Sequence, residues 1–272
     1  MLIPITDLTK EEVRIYHELK EAQLLHYYEP EGGLFIAESP NVIERALAAG
    51  YVPVSFLCET SRAQLAESLL RTYGITEIPV FTAPDAVLMQ ITGFHLTRGM
   101  LAAFKRRPGL SLAEILEGKT RIAVLVDVVN PTNIGAIIRS AAALGIQAVL
   151  LSRTCSDPLY RRASRVSVGT CFQIPWTYMN EERPEEINSI LHDFGFATAS
   201  LALREDTLSV DDPVLKKTEK LALLLGNEGY GLPEEVIQTS DHTVKIPMRE
   251  GVDSLNVAAA SAVAFWEISK TD

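Results

Sequence analysis

The chain has 272 residues, of which 47% are hydrophobic and 22% charged, with a formal net charge of −10. This balance is typical of a folded protein with one large domain or two ordinary ones, and no segment reaches the roughly 18 to 20 uninterrupted apolar residues of a membrane helix. The acidic charge counts against nucleic-acid binding through the overall field, but not against binding through a local basic patch.

The N-terminal residues and the cysteines indicate the compartment. Residues 1–13 contain no basic segment followed by an apolar one, so we expect no secretory signal and a cytoplasmic protein without a membrane partner. The three cysteines, Cys58, Cys155 and Cys171, are scattered along the chain. Their spacing fits neither a disulfide framework nor a zinc site, which predicts reduced thiols and no metal.

The first 105 residues alternate between predicted strands and helices. Thr9 and Glu12 have the spacing of a capping box, which predicts an amphipathic helix over residues 9–28. Ser39 and Pro40 open a further helix that ends at Gly50. The other predicted elements are strands over 34–37, 52–58, 79–82 and 99–104 and helices over 61–73 and 84–91. This alternation predicts a small α/β domain over residues 1–105.

Residues 106–120 are basic, then contain Pro108 and Gly109, and are predicted to be a linker. After it, the apolar run Ile122–Val128 predicts a buried parallel strand. The alternation then resumes to the end of the chain, which predicts a second α/β domain over residues 121–272. Its other predicted elements are strands over 147–151, 197–202, 221–225 and 243–246 and helices over 132–144, 184–193 and 254–269.

Three segments of this second domain carry residues suited to chemistry. The first runs from Asn130 to Gly145, between a strand and a helix. Its polar turn and Gly135 allow a ligand to approach the free N–H groups of the helix start. Arg139 follows in a helix of otherwise apolar or small residues, where it needs an anionic partner or water. A salt bridge at an interface and a phosphate or catalytic contact are equally compatible with this spacing.

The second segment is a strand that runs directly into a glycine-rich loop, Gly226–Leu232, with Glu228 near its middle. Ligands of open α/β sheets bind beyond the carboxyl ends of strands, and glycines there allow close backbone approach. The pattern is neither G-x-G-x-x-G nor a P-loop, so a dinucleotide or nucleotide-phosphate site is weakly supported. A tight turn with an exposed glutamate is the competing interpretation.

The third segment begins at a strand end, Ile246–Met248, and continues into the last helix. Ser254 is predicted to cap that helix, with Asn256 in its first turn. Taken alone, this segment is also what an ordinary C-terminal core helix would look like.

Together and in this order, the three segments resemble the motifs of the SpoU branch of the SPOUT methyltransferases, also called the TrmH family. The residues that carry the resemblance are Asn133, Gly135 and Arg139, then Gly226, Glu228, Gly231 and Leu232, then Ile246, Pro247, Met248, Ser254, Leu255 and Asn256. The resemblance implies a trefoil-knotted α/β domain with a parallel sheet. The first 105 residues resemble the substrate-binding domain of many family members, which has the α/β fold of ribosomal protein L30e.

The resemblance also implies an activity, a cofactor and a set of site residues. The activity is methyl transfer from S-adenosylmethionine to a ribose 2′-hydroxyl of RNA, with ribosomal RNA favoured over transfer RNA, by a homodimer that needs no metal. The expected catalytic residues are Asn133, Arg139, Glu228, Ser254 and Asn256. The expected cofactor contacts are Leu225, Gly226, Asn227, Ile246, Met248 and Leu255. The expected RNA contacts are Arg139, Arg153, Arg161, Arg162 and Arg165.

In the family Arg139 would help the 2′-hydroxyl lose its proton. Because an arginine is effectively always charged, we favour a role as an electrostatic anchor while a phosphate oxygen or water takes the proton. Two other functions compete with this one. A non-catalytic RNA-binding factor on the same scaffold would have no need of all five catalytic residues, and a nucleotide-binding oxidoreductase lacks its glycine motif in both domains.

Overall fold

The structure is a computed structural model that describes residues 1–28, 32–92, 99–204, 207–251 and 254–269. The chain divides into two compact units. Unit 1 contains Met1–Pro108 together with Leu159–Phe172, and unit 2 contains Gly109–Pro158 together with Gln173–Asp272. Residues 159–172 were expected within the C-terminal domain, so the compact units depart from the predicted boundaries at this segment.

The strands of the described residues are numbered in chain order: β1 (Leu2–Pro4), β2 (Leu34–Glu38), β3 (Pro53–Glu59), β4 (Val80–Ala83), β5 (Met100–Lys105), β6 (Arg121–Leu125), β7 (Ala148–Leu151), β8 (Trp176–Tyr178), β9 (Ala197–Leu201), β10 (Leu208–Ser209), β11 (Leu221–Leu225) and β12 (His242–Lys245). The α-helices are α1 (Glu21–Leu25), α2 (Pro40–Ala48), α3 (Ala63–Thr72), α4 (Asp85–Thr92), α5 (Leu112–Leu116), α6 (Pro131–Ala143), α7 (Arg161–Val166), α8 (Glu186–Asp193), α9 (Pro213–Lys217), α10 (Glu234–Thr239) and α11 (Val257–Ile268). Among the described residues, no helix combines the length and the apolarity that a membrane span requires.

Unit 1 is built on a mixed sheet with the strand order β1-β4-β3-β5-β2. Strand β4 pairs in parallel with β1 and β3, and β5 pairs antiparallel with β2 and β3. The predicted strands of this half are therefore confirmed, and β1 is an addition that sequence periodicity missed. It is only three residues long, which leaves too short a pattern to recognise.

The helix expected over residues 9–28 is wrong in extent. A 3-10 helix covers Glu11–Tyr16 and α1 covers only Glu21–Leu25. Val13, Ile15 and Tyr16 are all buried although they do not share one α-helical face, and the tighter turn of a 3-10 helix accommodates them. Helix α1 then begins after Lys20, whose backbone N–H donates to Gln23 Oε1 at 2.9 Å.

The segment from residue 159 to 172 is held in unit 1 by charge and by aromatic packing. The Glu38 carboxylate pairs with Arg161 Nε at 2.8 Å and with Arg165 Nη1 at 3.0 Å, and its side chain is only 7% exposed. Phe172 packs against Phe35 with ring centroids 5.6 Å apart. A carboxylate this buried needs paired charge nearby, and the two arginines of the segment supply it.

Ser39, just before α2, combines an unusual backbone conformation with an unsatisfied hydroxyl. Its φ is +91°, in the left-handed region that favours glycine. The residue is 2% exposed, makes no side-chain cap to α2, and its Oγ finds no hydrogen-bond partner among the described residues. Helix α2 therefore begins at Pro40 as expected, but without a serine cap.

Replacing Ser39 by glycine should stabilise the protein. Relief of a strained φ contributes about 1–3 kcal/mol, and the added flexibility of the unfolded chain offsets about 0.4–1 kcal/mol of this. We expect Ser39→Gly to raise the free energy of unfolding by about 1 kcal/mol and the midpoint of thermal unfolding by several degrees. Ser39→Ala removes the hydroxyl but retains the strain, so a gain as large as that of the glycine variant would contradict this account.

Unit 2 is a seven-stranded sheet in the order β10-β12-β9-β11-β6-β7-β8, and every pairing between its described strands is parallel. Strand β11 lies between β6 and β9 at its centre. Val124 of β6 packs with Leu224 of β11 and with Leu191 of α8 in one core, while the alternate residues Ala123 and Leu125 are equally buried. Both faces of β6 are covered, which confirms the buried parallel strand predicted from the apolar run.

Helices α6 and α11 pack against each other in unit 2. The side chain of Asn130 caps α6 by accepting from Thr132 N at 2.9 Å. Asn256 caps α11 in the same way, accepting from Ala258 N at 2.9 Å. The predicted cap at Ser254 is wrong: the helix starts three residues later because the asparagine side chain takes the orphan N–H.

The three cysteine side chains are buried thiols. Burial raises the pKa of Cys58 to about 12 and that of Cys155 to about 11. Neither group is a reactive thiolate at neutral pH.

Candidate active site

The three motif segments meet at one edge of the sheet of unit 2. Because its strands are parallel, their carboxyl ends lie along the same edge, where ligands of open α/β sheets bind. Strands β6 and β11 pair over their whole length, with Leu125 opposite Leu225. The residues that follow these two strands are therefore neighbours although about a hundred positions separate them in the chain.

The loop after β11 is a closed turn. Asn227 and Gly231 exchange two backbone hydrogen bonds, each of 3.0 Å, and Asn227 Oδ1 accepts from Gly229 N at 2.7 Å. A Cβ on Gly226 would lie 2.3 Å from the backbone carbon of Gly231, and backbone atoms cannot move aside. The turn thus requires glycine at position 226, and it holds Glu228 at its outer end.

Asp127 ties this turn to the end of β6. Its carbonyl oxygen accepts from Asn227 Nδ2 at 2.8 Å, and its carboxylate accepts from the Tyr230 hydroxyl at 3.2 Å. The same carboxylate accepts from Thr154 and from Ser152. The pKa of Tyr230 is raised, because desolvation and the Asp127 carboxylate both disfavour the phenolate. The phenol is a donor here and not a base.

One residue from each motif joins a chain of side-chain hydrogen bonds. Asn256 Nδ2 donates to Asn133 Oδ1 at 3.3 Å, and Asn133 Nδ2 donates to Glu228 Oε1 at 2.6 Å. The direction of donation along this chain is fixed at both ends. At one end, Asn256 Oδ1 already accepts from the N–H of Ala258; at the other, the Glu228 carboxylate can only accept. The orientation of both amides is therefore determined: Asn256 donates to Asn133, and Asn133 donates to Glu228.

Asn256 should matter for stability in two separable ways. Asn256→Ala removes the cap of α11 and leaves Asn133 Oδ1 without its donor, and each loss costs about 1 kcal/mol. Asn256→Ser keeps a capping oxygen but is too short to reach Asn133, so it should recover roughly half of the lost free energy of unfolding. Urea unfolding of both variants measures the free energy of unfolding. If the two variants lose the same amount, the cap does not contribute to stability.

A pocket of about 660 Å³ lies against the glycine turn within unit 2. It is bounded by the ends of β9, β11 and β12, by the turn itself and by the start of α11. Eight of the predicted site residues line it: Leu225, Gly226, Asn227, Glu228, Ile246, Met248, Ser254 and Leu255. The structure thus brings every predicted cofactor residue to one cavity. Its volume is within the range of about 300–1,000 Å³ that small-molecule sites occupy.

Arg139 does not join this group. It is absent from the pocket lining, its side chain is exposed, and it makes no hydrogen bond or ion pair with the described residues. Six residues separate it from Asn133, which turns it by about 120° around the axis of α6. Asn133 donates a hydrogen bond to Glu228, whereas Arg139 is exposed on a different face of the helix.

The basic residues proposed to contact RNA occupy different surroundings. Arg161 and Arg165 share the Glu38 carboxylate in unit 1, and Arg162 is exposed between them. Arg153 lies in unit 2 with an exposed side chain, and its backbone N–H donates to Glu181 at 2.8 Å. Burial raises the pKa of the Glu181 carboxyl. The sequence treated these arginines as one loop, but the boundary between the two compact units falls within it, so that Arg153 belongs to unit 2 and the other three to unit 1.

Sequence reasoning missed two groups at this edge. Asp127 lies inside the run predicted as a strand, Ile122–Val128, but two residues beyond Leu125, where β6 ends, and the rule that strand ends carry functional groups is the signal that could have found it. The other group is Arg204, paired with Glu234, at the pocket wall. Within the described residues, no group of three or more histidine, cysteine, aspartate or glutamate side chains is arranged to hold a metal ion.

The model of the SpoU rRNA methylase family matches residues 120–266. The chain belongs to this family. The match covers all three motif segments, so the family resemblance stated from Asn133, Glu228 and Asn256 is confirmed. The trefoil knot that accompanies this resemblance stays a prediction.

Curated and solved relatives agree with the family. The chain is 37% identical over 240 residues to an uncharacterized tRNA/rRNA methyltransferase of Mycobacterium bovis, a match that covers 88% of this chain and 81% of the relative. An AdoMet-bound rRNA methyltransferase from Sinorhizobium meliloti superposes with a TM-score of 0.79 at 25% identity, covering 98% of this chain and 97% of the other. The SpoU methyltransferase AviRb from Streptomyces viridochromogenes, in complex with AdoMet, gives 0.75 at 25% identity over 94% and 95%.

Proposed function

We propose that the chain is an S-adenosylmethionine-dependent methyltransferase that acts on a ribose 2′-hydroxyl of RNA, with ribosomal RNA favoured over transfer RNA. The observation that carries the proposal is the hydrogen-bonded chain from Asn256 through Asn133 to Glu228 at the edge of a pocket. It brings one polar residue of each motif to a single point. The names of the relatives, a tRNA/rRNA methyltransferase and two AdoMet-bound methyltransferases, support its coarser part, AdoMet-dependent methylation of RNA.

The pocket suits S-adenosylmethionine in size and in its mixture of walls. Leu225, Ile246 and Leu255 offer apolar surface, and the turn from Gly226 offers backbone polar groups at close range. When bound, the cofactor supplies a methyl group that is already a reactive electrophile. What remains for the protein is to align a ribose hydroxyl and to favour loss of its proton.

Glu228 is the group best placed to hold that hydroxyl. Its Oε1 is occupied by Asn133, which leaves Oε2 to accept from a substrate O–H. Ser254, which also lines the pocket, adds a hydroxyl that can donate or accept. Asn133 and Asn256 act as positioning residues, because they orient the carboxylate without lining the pocket.

Arg139 requires a second subunit if it is to act at this pocket. It lies outside the pocket of its own chain, and α11, which packs against α6, carries two exposed apolar side chains: Val263 is 42% exposed and Trp266 is 57% exposed. Apolar side chains of this size are typical of interface cores. We therefore propose a homodimer in which Arg139 of one subunit serves the pocket of the other as an electrostatic anchor.

RNA contacts are proposed to come from both units. Unit 1 would act as the substrate-binding domain, as its resemblance to ribosomal protein L30e implies. Arg153 and Arg162 are exposed and suited to phosphate contact. Arg161 and Arg165 contribute less net charge, since Glu38 offsets part of it. Such local contacts reconcile RNA binding with the net charge of −10.

The decisive experiment maps 2′-O-methyl groups in total RNA with and without the gene. We expect one site, or a few, to be lost from ribosomal RNA when the gene is deleted and to return when the intact gene is restored. A site lost only from transfer RNA would correct the preferred substrate. If no site changes and calorimetry finds no S-adenosylmethionine binding to the folded protein, a non-catalytic RNA-binding factor becomes the better interpretation.

Arg139→Ala should nearly abolish methyl transfer to that RNA while S-adenosylmethionine binding, measured by calorimetry, stays close to wild type. The reason is that Arg139 lies outside the pocket of its own chain. Arg183→Ala is a matched control, because Arg183 is exposed and, within the described part of the chain, pairs only with the neighbouring carboxylates of Glu185 and Glu186. Retained activity of the Arg139 variant would contradict the assigned role.

Mixing two inactive variants tests the shared site. If Arg139 acts across the interface, heterodimers of Arg139→Ala and Glu228→Gln contain one intact pair, and a random mixture should regain about a quarter of wild-type activity. If each subunit uses its own Arg139, no intact pair can form and the mixture stays inactive. Co-purification of the two variants through different affinity tags, one on each, establishes that the subunits have exchanged.

A further inference from the structure

The glycine turn presents one aromatic ring to solvent beside the pocket. Tyr230 is 66% exposed and lines the pocket two residues after Glu228. Its neighbours in the chain are Gly229 and Gly231, which have no side chains to cover the ring. Among the exposed large apolar side chains that line this pocket in the described residues, the other two are the aliphatic Leu203 and Leu255.

The ring is exposed but it is held in place. Its hydroxyl donates to Asp127 Oδ2 at 3.2 Å, and its backbone belongs to the turn closed by Asn227 and Gly231. Asp127 itself accepts hydrogen bonds from the side chain of Asn227 and from the hydroxyls of Ser152 and Thr154, which hold it in place. A tyrosine anchored at both ends offers a flat apolar face at little cost in conformational entropy when a partner arrives.

The position of Glu228 determines which part of a substrate can reach this ring. If Glu228 holds the ribose hydroxyl, as the proposed function requires, the base on the neighbouring sugar carbon must lie close to the same turn. RNA enzymes that work on one nucleotide expose it from its stack, and exposed bases stack on aromatic side chains. The ring two residues from Glu228 is a surface of the right kind at the right distance along the turn.

We propose that Tyr230 is the stacking platform for the base of the nucleotide whose ribose is methylated, and that Asp127 is the positioning residue that holds the platform in place. This inference rests on the proposed function. Stacking is tolerant of base identity because every base has a π-face. Tyr230 therefore sets how firmly the target nucleotide is held, and other groups select its sequence.

The test uses the full-length dimer and an unmethylated RNA transcript that carries the mapped site. Tyr230→Ala should raise the dissociation constant for this RNA roughly 10- to 100-fold, the usual effect of losing one stacked base. The dissociation constant for S-adenosylmethionine should stay within about twofold of wild type, because the ring is assigned to RNA. Tyr230→Trp and Tyr230→Phe should each restore RNA binding in part, since both keep an aromatic ring and lose the hydroxyl that anchors it to Asp127.

A double-mutant cycle tests the role of Asp127. Asn tolerates the positive φ of +56° at this position, so Asp127→Asn weakens the hold on the tyrosine hydroxyl without forcing the backbone to move. If Asp127 acts through that hydroxyl, its substitution weakens RNA binding in the wild type and has no further effect in the Tyr230→Phe background. An equal effect in both backgrounds would remove Asp127 from the proposal.

Two results would overturn the platform itself. RNA affinity unchanged in Tyr230→Ala would show that no base stacks there, and an equal loss of S-adenosylmethionine affinity would assign the ring to the cofactor. Both affinity measurements are interpreted only after the wild type has been shown to methylate the transcript. A wild type that transfers no methyl group to any RNA refutes the proposed function instead, so the two failures are distinguishable.

Discussion

Strands β6 and β11 lie side by side and parallel over all five of their residues, and both are buried. This pairing is the constraint on which the geometry of the site depends. It brings the residues after Leu125 next to those after Leu225, so that Asp127 meets Asn227 and Tyr230. A slip of one residue in this register would reverse the side chains of one strand and separate the anchors of the turn.

The polarity of the amide chain is the second element of the site. Asparagine is suited to this role because each side chain accepts at one atom and donates at another. The cap of α11 sets the orientation of Asn256, which sets that of Asn133, and the chain terminates at the Glu228 carboxylate. The cap at the start of α11 thereby orients the Glu228 carboxylate in another segment, and the rigidity of the helix makes the site rigid.

The sequence predicts well whatever depends on local pattern. The buried strand β6, the proline and glycine limits of α2, and the polar residues at strand ends all follow from periodicity and turn chemistry. It fails where distant groups compete for the same partner. Ser254 and Asn256 are both good caps, and in the structure the cap is Asn256, whose side chain also donates to Asn133 of α6. The pairing of Arg161 and Arg165 with Glu38 likewise has no signal in local sequence.

The same pairing bears on how the protein is made. Glu38 and its two arginine partners are 123 and 127 positions apart, and unit 1 includes residues up to Phe172. During synthesis the first 108 residues emerge before the two arginines that pair with Glu38, and residues 109–158 of unit 2 are translated in between. Contacts this distant in sequence close slowly, and chains generally fold in order of emergence. The N-terminal unit, although first to leave the ribosome, is therefore completed only after the strands β6 and β7 of its neighbour exist.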